Sequence, residues 1–106
     1  MAAEIPEGLS IEHVWVVEAT YGPDAVERRP AVRGEHLARI AKLRAAGTII
    51  EAGAFSDMSE SLVLLRAPSE EAALSVVRDD IYFRSGVWTG FRVRAFGLVV
   101  PKPPAG

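Results

Sequence analysis

The order of periodic segments predicts an α+β chain of the ferredoxin-like kind, a βαββαβ sandwich in which two helices cover one face of a four-stranded antiparallel sheet. Three observations lead there. The runs Glu12–Ala19, Thr48–Phe55, Ser61–Ala67 and Val87–Phe96 are rich in β-branched, aliphatic and aromatic residues and are too short for ordinary helices. Stretches with helical spacing, about Val32–Ala45 and Ser69–Asp79, fall after the first and after the third of these runs. Consecutive apolar residues, Val14 to Val17 and Leu62 to Leu65, replace the alternation expected of a sheet that is wet on one side, so both faces must be buried. Two helices cover only one of them. The other calls for a homodimer packed sheet on sheet, or for the C-terminal tail folded across it.

Each element has its own punctuation. The first strand, Glu12–Ala19, closes on the turn signal Tyr21-Gly22-Pro23-Asp24. The first helix covers about Val32–Ala45, with a start as early as Asp24 to Arg28 left open, and Gly47 supplies its stop. The second and third strands join through the polar loop Ser56–Glu60 as a hairpin. In Pro68-Ser69-Glu70-Glu71, Ser69 is the N-cap and the acids occupy the first turn, followed by the apolar stripe Ala72, Ala73, Val76 and Val77. A short irregular segment, Asp80–Gly86, leads to the last strand, Val87–Phe96, and the tail from Val100 reads as an unstructured end or an extended arm. The expected organisation is a single domain over residues 1–106, with a core of about 12–97 and extensions at 1–11 and 98–106.

At 49% hydrophobic and 25% charged the composition is that of an ordinary globular protein. A chain of 106 residues buries only about two-thirds of its unfolded surface, which again favours an oligomer. There is no cysteine, so disulfides, thiol nucleophiles and thiolate metal sites are excluded together. The net charge of −2 offers no general attraction to nucleic acid or to an anionic membrane. No apolar run reaches the roughly 18 residues of a membrane span and Met1–Ser10 has no apolar leader core, so a cytoplasmic protein is expected.

The most informative stretch is Arg29-Pro-Ala-Val-Arg33-Gly-Glu-His36-Leu. His36 lies on the helix stripe formed by Val32, Ile40 and Leu43, so an imidazole meets the core there. It is either a core-edge histidine satisfied by a nearby carboxylate or carbonyl, or a general base at the floor of a small pocket. Six basic residues, Arg28, Arg29, Arg33, Arg39, Lys42 and Arg44, face Glu35 alone in this segment. Such a run usually marks a solvated face, but Arg29 and Arg33 share the side of His36 and are placed to line a pocket mouth for an anionic ligand. His13 reads as a strand-edge residue and Asp79 as solvated. With two histidines 23 positions apart, no Gly-rich phosphate loop, no dinucleotide fingerprint and no nucleophile elbow around Ser56, neither metal nor cofactor is expected. The aromatic and basic end, with Tyr82, Phe83, Trp88, Phe91 and Arg92, has the residue types of a nucleic-acid platform, but the central strands are aliphatic and the chain is acidic. Nucleic-acid binding is therefore not expected, and Tyr82 and Trp88 are assigned to a pocket wall or a dimer core.

The ordered set Arg29-x-x-x-Arg33-x-x-His36-Leu37, Gly47, Ala52-Gly53 and Asp80-x-Tyr82-x-x-x-Gly86-Val87 resembles the YciI-like (YCII-related) family, over about Val14 to Phe96. The resemblance implies a dimeric α/β-barrel relative of the ferredoxin-like fold and an active-site pair of His36 and Asp80. Ile81 stands where the family usually has proline after the aspartate, Ala54 where it commonly has proline after Ala-Gly, and the loop Ser56–Glu60 is shorter than is common in the family. A histidine tied to a carboxylate is held in one tautomer, which suits proton abstraction. The pair serves either catalysis or a structural bond that pins the second helix exit to the first helix. Two function classes follow: a small cofactor-free enzyme with His36 as base, Asp80 as its orienting partner and Arg29, Arg33, Tyr82 and Trp88 around a small metabolite, or a non-catalytic ligand-binding or accessory dimer. An enzyme pocket of about 300 Å³ or more is expected.

Overall fold

Seven elements follow one another in the computed structural model, which describes residues 4–102: β1 (Leu9–Tyr21), α1 (Ala25–Ala45), β2 (Ile49–Ala54), β3 (Glu60–Leu65), α2 (Glu70–Arg78), α3 (Ile81–Arg84) and β4 (Trp88–Pro101). The strands form one antiparallel sheet in the order β2-β3-β1-β4, the ferredoxin-like arrangement. β1 is central because its odd-numbered residues Val17, Ala19 and Tyr21 face the helices, where they join Ile49, Val63, Leu65, Ala73, Val77, Tyr82 and Trp88 in the main core. On the other face Val14, Val16 and Leu64 form a second apolar cluster with Ile50, Leu62 and Leu98 around it. The consecutive apolar residues of β1 and β3 thus supply both faces, as their lack of alternation requires.

Differences from the expected boundaries have local causes. α1 begins at Ala25, before Pro30, although proline usually ends or starts a helix. Pro30 cannot bond back to the Val26 carbonyl, but Val26 is 66% exposed, so water can satisfy that carbonyl. At the other end Gly47, with φ +83°, turns the chain out of the helix while Thr48 N–H bonds back to the Leu43 carbonyl at 3.0 Å. Ser69 caps α2 by accepting from Ala72 N–H at 3.1 Å. The segment expected to be irregular contains the single turn α3, capped by the Asp80 side chain. β1 and β4 run on as a paired ribbon from Leu9–Pro101 to His13–Gly97, so the tail is strand to Pro101 and, as far as Lys102, does not cross the open sheet face. Residues 103–106 of that tail lie outside the described residues.

Candidate active site

The turn α3 delivers Asp80 to α1. An Asp at an N-cap uses its carboxylate to bond the helix's own first N–H groups, and Asp80 Oδ1 accepts from Tyr82 N–H at 2.9 Å. The backbone at Asp80, φ −74° and ψ 142°, is the extended conformation that a following proline would impose, and Ile81 occupies the first helical position that proline favours. The cap therefore does here what proline does in the family pattern: it fixes the direction of the carboxylate.

From that position Asp80 Oδ1 lies 2.7 Å from His36 Nδ1, and Oδ2 accepts from the Arg39 guanidinium at 3.2 Å. Asp80 is 1% exposed. Burial pushes its carboxyl up, but the bond to His36, the Tyr82 N–H, the His36 charge and Arg39 outweigh it and hold the group below the usual carboxylate range. Asp80 is therefore ionised at neutral pH, and its charge is matched by Arg39 whether or not His36 is protonated. With Nδ1–H given to Asp80, the neutral imidazole carries its lone pair on Nε2. The ring is clamped flat against Tyr82, at 3.6 Å between centroids and 7° between planes, with the edge-on Trp88 ring at 5.3 Å.

His36, Tyr82 and Trp88 line a cavity of about 170 Å³ together with Tyr21, Arg29 and Arg33. This is smaller than the pocket expected from the sequence. Arg29 and Arg33 also line a neighbouring groove of about 420 Å³, floored by Val26, Pro30 and Met58, so room for a larger ligand lies beside the cavity and not within it. The two arginines have different work. Arg29 Nε donates to Tyr82 Oη at 3.2 Å and its guanidinium stands 5.8 Å from the Tyr21 ring centre, so it is committed to the aromatic wall. Arg33 is exposed and makes no hydrogen bond or ion pair among the described residues, which leaves its donors for a ligand. Burial pushes the Tyr82 phenol up against the opposing influence of Arg29, so it stays protonated.

All six residues singled out in the sequence converge on one site. His13 and Asp79 are exposed, as expected of surface residues. Among the described residues no three of His, Asp and Glu gather to hold a metal ion. Two further residues join the site that the sequence places elsewhere: Arg39 lies in the basic run that reads as a solvated face, and Tyr21 in the turn signal after the first strand. The signal for Tyr21 was available: it continues the odd-numbered face of β1, Trp15, Val17, Ala19, Tyr21.

The fold and this site define a small ferredoxin-like α+β protein with a cavity-wall histidine bonded to a buried carboxylate. The YCII-related domain matches the chain over residues 14–97, and the chain belongs to that family. Among solved structures it is similar to 5-chloro-2-hydroxyhydroquinone dehydrochlorinase from Burkholderia phenoliruptrix AC1100, in complex with 2,5-dihydroxybenzoquinone, with a TM-score of 0.66 and 21% identity over 76% of this chain and 90% of that one. That likeness is one of fold. No curated protein matches the sequence.

Proposed function

We propose that this protein is a small enzyme of a cytoplasmic metabolite that needs no cofactor and transfers a proton by means of His36. The observation that carries the reading is the 2.7 Å bond from His36 Nδ1 to a buried, ionised Asp80, which leaves Nε2 as the free nitrogen of a ring on the cavity wall. In an isomerisation Nε2 takes a proton from one atom of the substrate and returns it to another. In an elimination it takes the proton, the electron pair forms a double bond, and the leaving group departs with its own pair. Arg33 binds an anionic or phenolic oxygen, Arg29 holds Tyr82 in place, and Tyr82 and Trp88 form the wall for a flat ring. The dehydrochlorinase with a similar fold supports an elimination from a hydroxylated ring. The small size of the cavity favours a second reading, a non-catalytic module that binds a small ligand, and the same experiment separates the two.

The experiment uses 2,5-dihydroxybenzoquinone as ligand and 5-chloro-2-hydroxyhydroquinone as trial substrate, with calorimetry for binding and chloride release for turnover. His36→Asn keeps an N–H for Asp80 but has no base. The enzyme reading expects binding in both proteins, with turnover in the wild type alone. Binding without chloride release or proton exchange into the ligand by the wild type supports the module, and equal turnover by His36→Asn overturns His36 as base.

A further inference from the structure

Trp88, Ser61 and Tyr21 form a hydrogen-bonded chain under the cavity that the pairing of His36 with Asp80 does not use. Trp88 Nε1 lies 3.2 Å from Ser61 Oγ, which lies 2.8 Å from Tyr21 Oη, and all three side chains are buried. The chain has a direction. An indole N–H can only donate, so Ser61 Oγ is the acceptor of that bond. Ser61 is 4% exposed, and the Tyr21 oxygen is the acceptor within its reach among the described residues, so the Ser61 proton goes to Tyr21. The proton of Tyr21 is then left over, on a hydroxyl that belongs to the cavity wall. Tyr82 is in the same condition, because its oxygen accepts from Arg29 and its own proton has no acceptor among the described residues.

Among the side chains that line the cavity, Tyr21, Tyr82 and Arg33 thus have protons left to donate, and His36 Nε2 is the basic nitrogen left to accept one. We infer that Tyr21 is a specificity-determining residue whose O–H binds a negatively charged or carbonyl oxygen of the ligand, and that Ser61, by donating to the Tyr21 oxygen, is the positioning residue that aims its proton into the cavity. The inference rests on the reading of His36 as base and narrows its substrate class. The favoured ligand has one proton to give to Nε2 and at least one further oxygen, rich in lone pairs, on which the resulting charge rests. In a cavity of about 170 Å³ a ring-sized ligand meets both groups at once.

The test uses 4-nitrophenolate, titrated into the protein at a pH where the free phenol is ionised and followed by its visible absorption band. Tyr21→Phe and Ser61→Ala are each expected to weaken binding about fivefold to tenfold, the size of one lost hydrogen bond, and to return the bound band toward that of the free anion. Ser61→Thr, which keeps the hydroxyl, is expected to restore both. Unchanged affinity and band in Tyr21→Phe overturn the inference, and so does a wild-type protein that fails to take up the anion. The ionised probe has no proton left to give, so its binding tests Tyr21 without testing the base, whereas turnover in His36→Asn tests the base alone.

Discussion

Asp80 holds three donors with two oxygens: His36 and its own turn at Oδ1, Arg39 at Oδ2. A carboxylate so placed titrates lower in the folded chain than in the unfolded one, so the unfolded state binds more protons in acid. The stability Asp80 contributes is fully present above the ordinary carboxylate range and is lost as pH falls through the folded value. Thermal melting from about pH 7 to about pH 3 should therefore show a loss in the wild type that is smaller in Asp80→Asn. Asparagine keeps the cap and an acceptor for Nδ1–H but not the charge for Arg39, so at neutral pH the variant should be less stable by about 1–3 kcal/mol. An unchanged pH profile in the variant would mean that other carboxylates govern acid unfolding.

At the scale of elements, the site depends on how three segments are stopped and started. Gly22 carries the chain from β1 into α1, bonded through its N–H to the Val87 carbonyl at 2.9 Å, and a Cβ there would come within 2.6 Å of the Thr89 side chain and 3.3 Å of the Gly86 carbonyl. Gly22→Ala must turn the Thr89 side chain and crowd the Gly86 carbonyl next to Tyr21 and Trp88. It is expected to destabilise by about 1–3 kcal/mol and to weaken ligand binding, measured by denaturant unfolding and by titration. Ser69→Ala removes the α2 cap far from the cavity and should cost about 1 kcal/mol while binding stays as in the wild type. The contrast between the two variants separates loss of fold stability from displacement of the wall.

For the whole molecule, the sheet face away from the helices carries a second apolar cluster of its own. Val14, Val16 and Leu64 are ringed by Leu62, Ile50 and Leu98, and a groove of about 300 Å³ runs between Leu62, Leu64 and Phe96. Arg94, opposite Val16 in the strand register, and Arg92 pair with Glu18 on this face, so their charges are already satisfied, and the exposed Phe96 with the half-buried Leu62 and Leu98 is the apolar surface left to be covered. We propose that a second copy covers it, and light scattering at micromolar concentration should give about twice the 11.4 kDa chain mass. Leu62→Glu places a charge beside the apolar cluster of that face and should yield a folded monomer with an unchanged far-ultraviolet spectrum. A wild-type monomer would leave this face uncovered and remove the homodimer from the reading.

Features that depend on local period and local chemistry are legible along the chain. Segment order, the doubly apolar strands, the Gly47 stop and the Ser69 cap could all be read within a window of a few residues, and the helix period alone put His36 on the buried stripe of α1. The resemblance of the spaced motifs supplied Asp80 as its partner. Which distant groups meet at one atom is a matter of the folded chain. Arg39 and Asp80 are 41 positions apart, Ser61 and Tyr21 are 40, and Trp88 and Ser61 are 27, so each meeting depends on strand register and on how α1 lies across the sheet. Side-chain direction alternates with the backbone and can be counted along one strand; the hydrogen bond that Ser61 donates to Tyr21 joins two strands, which no local count contains.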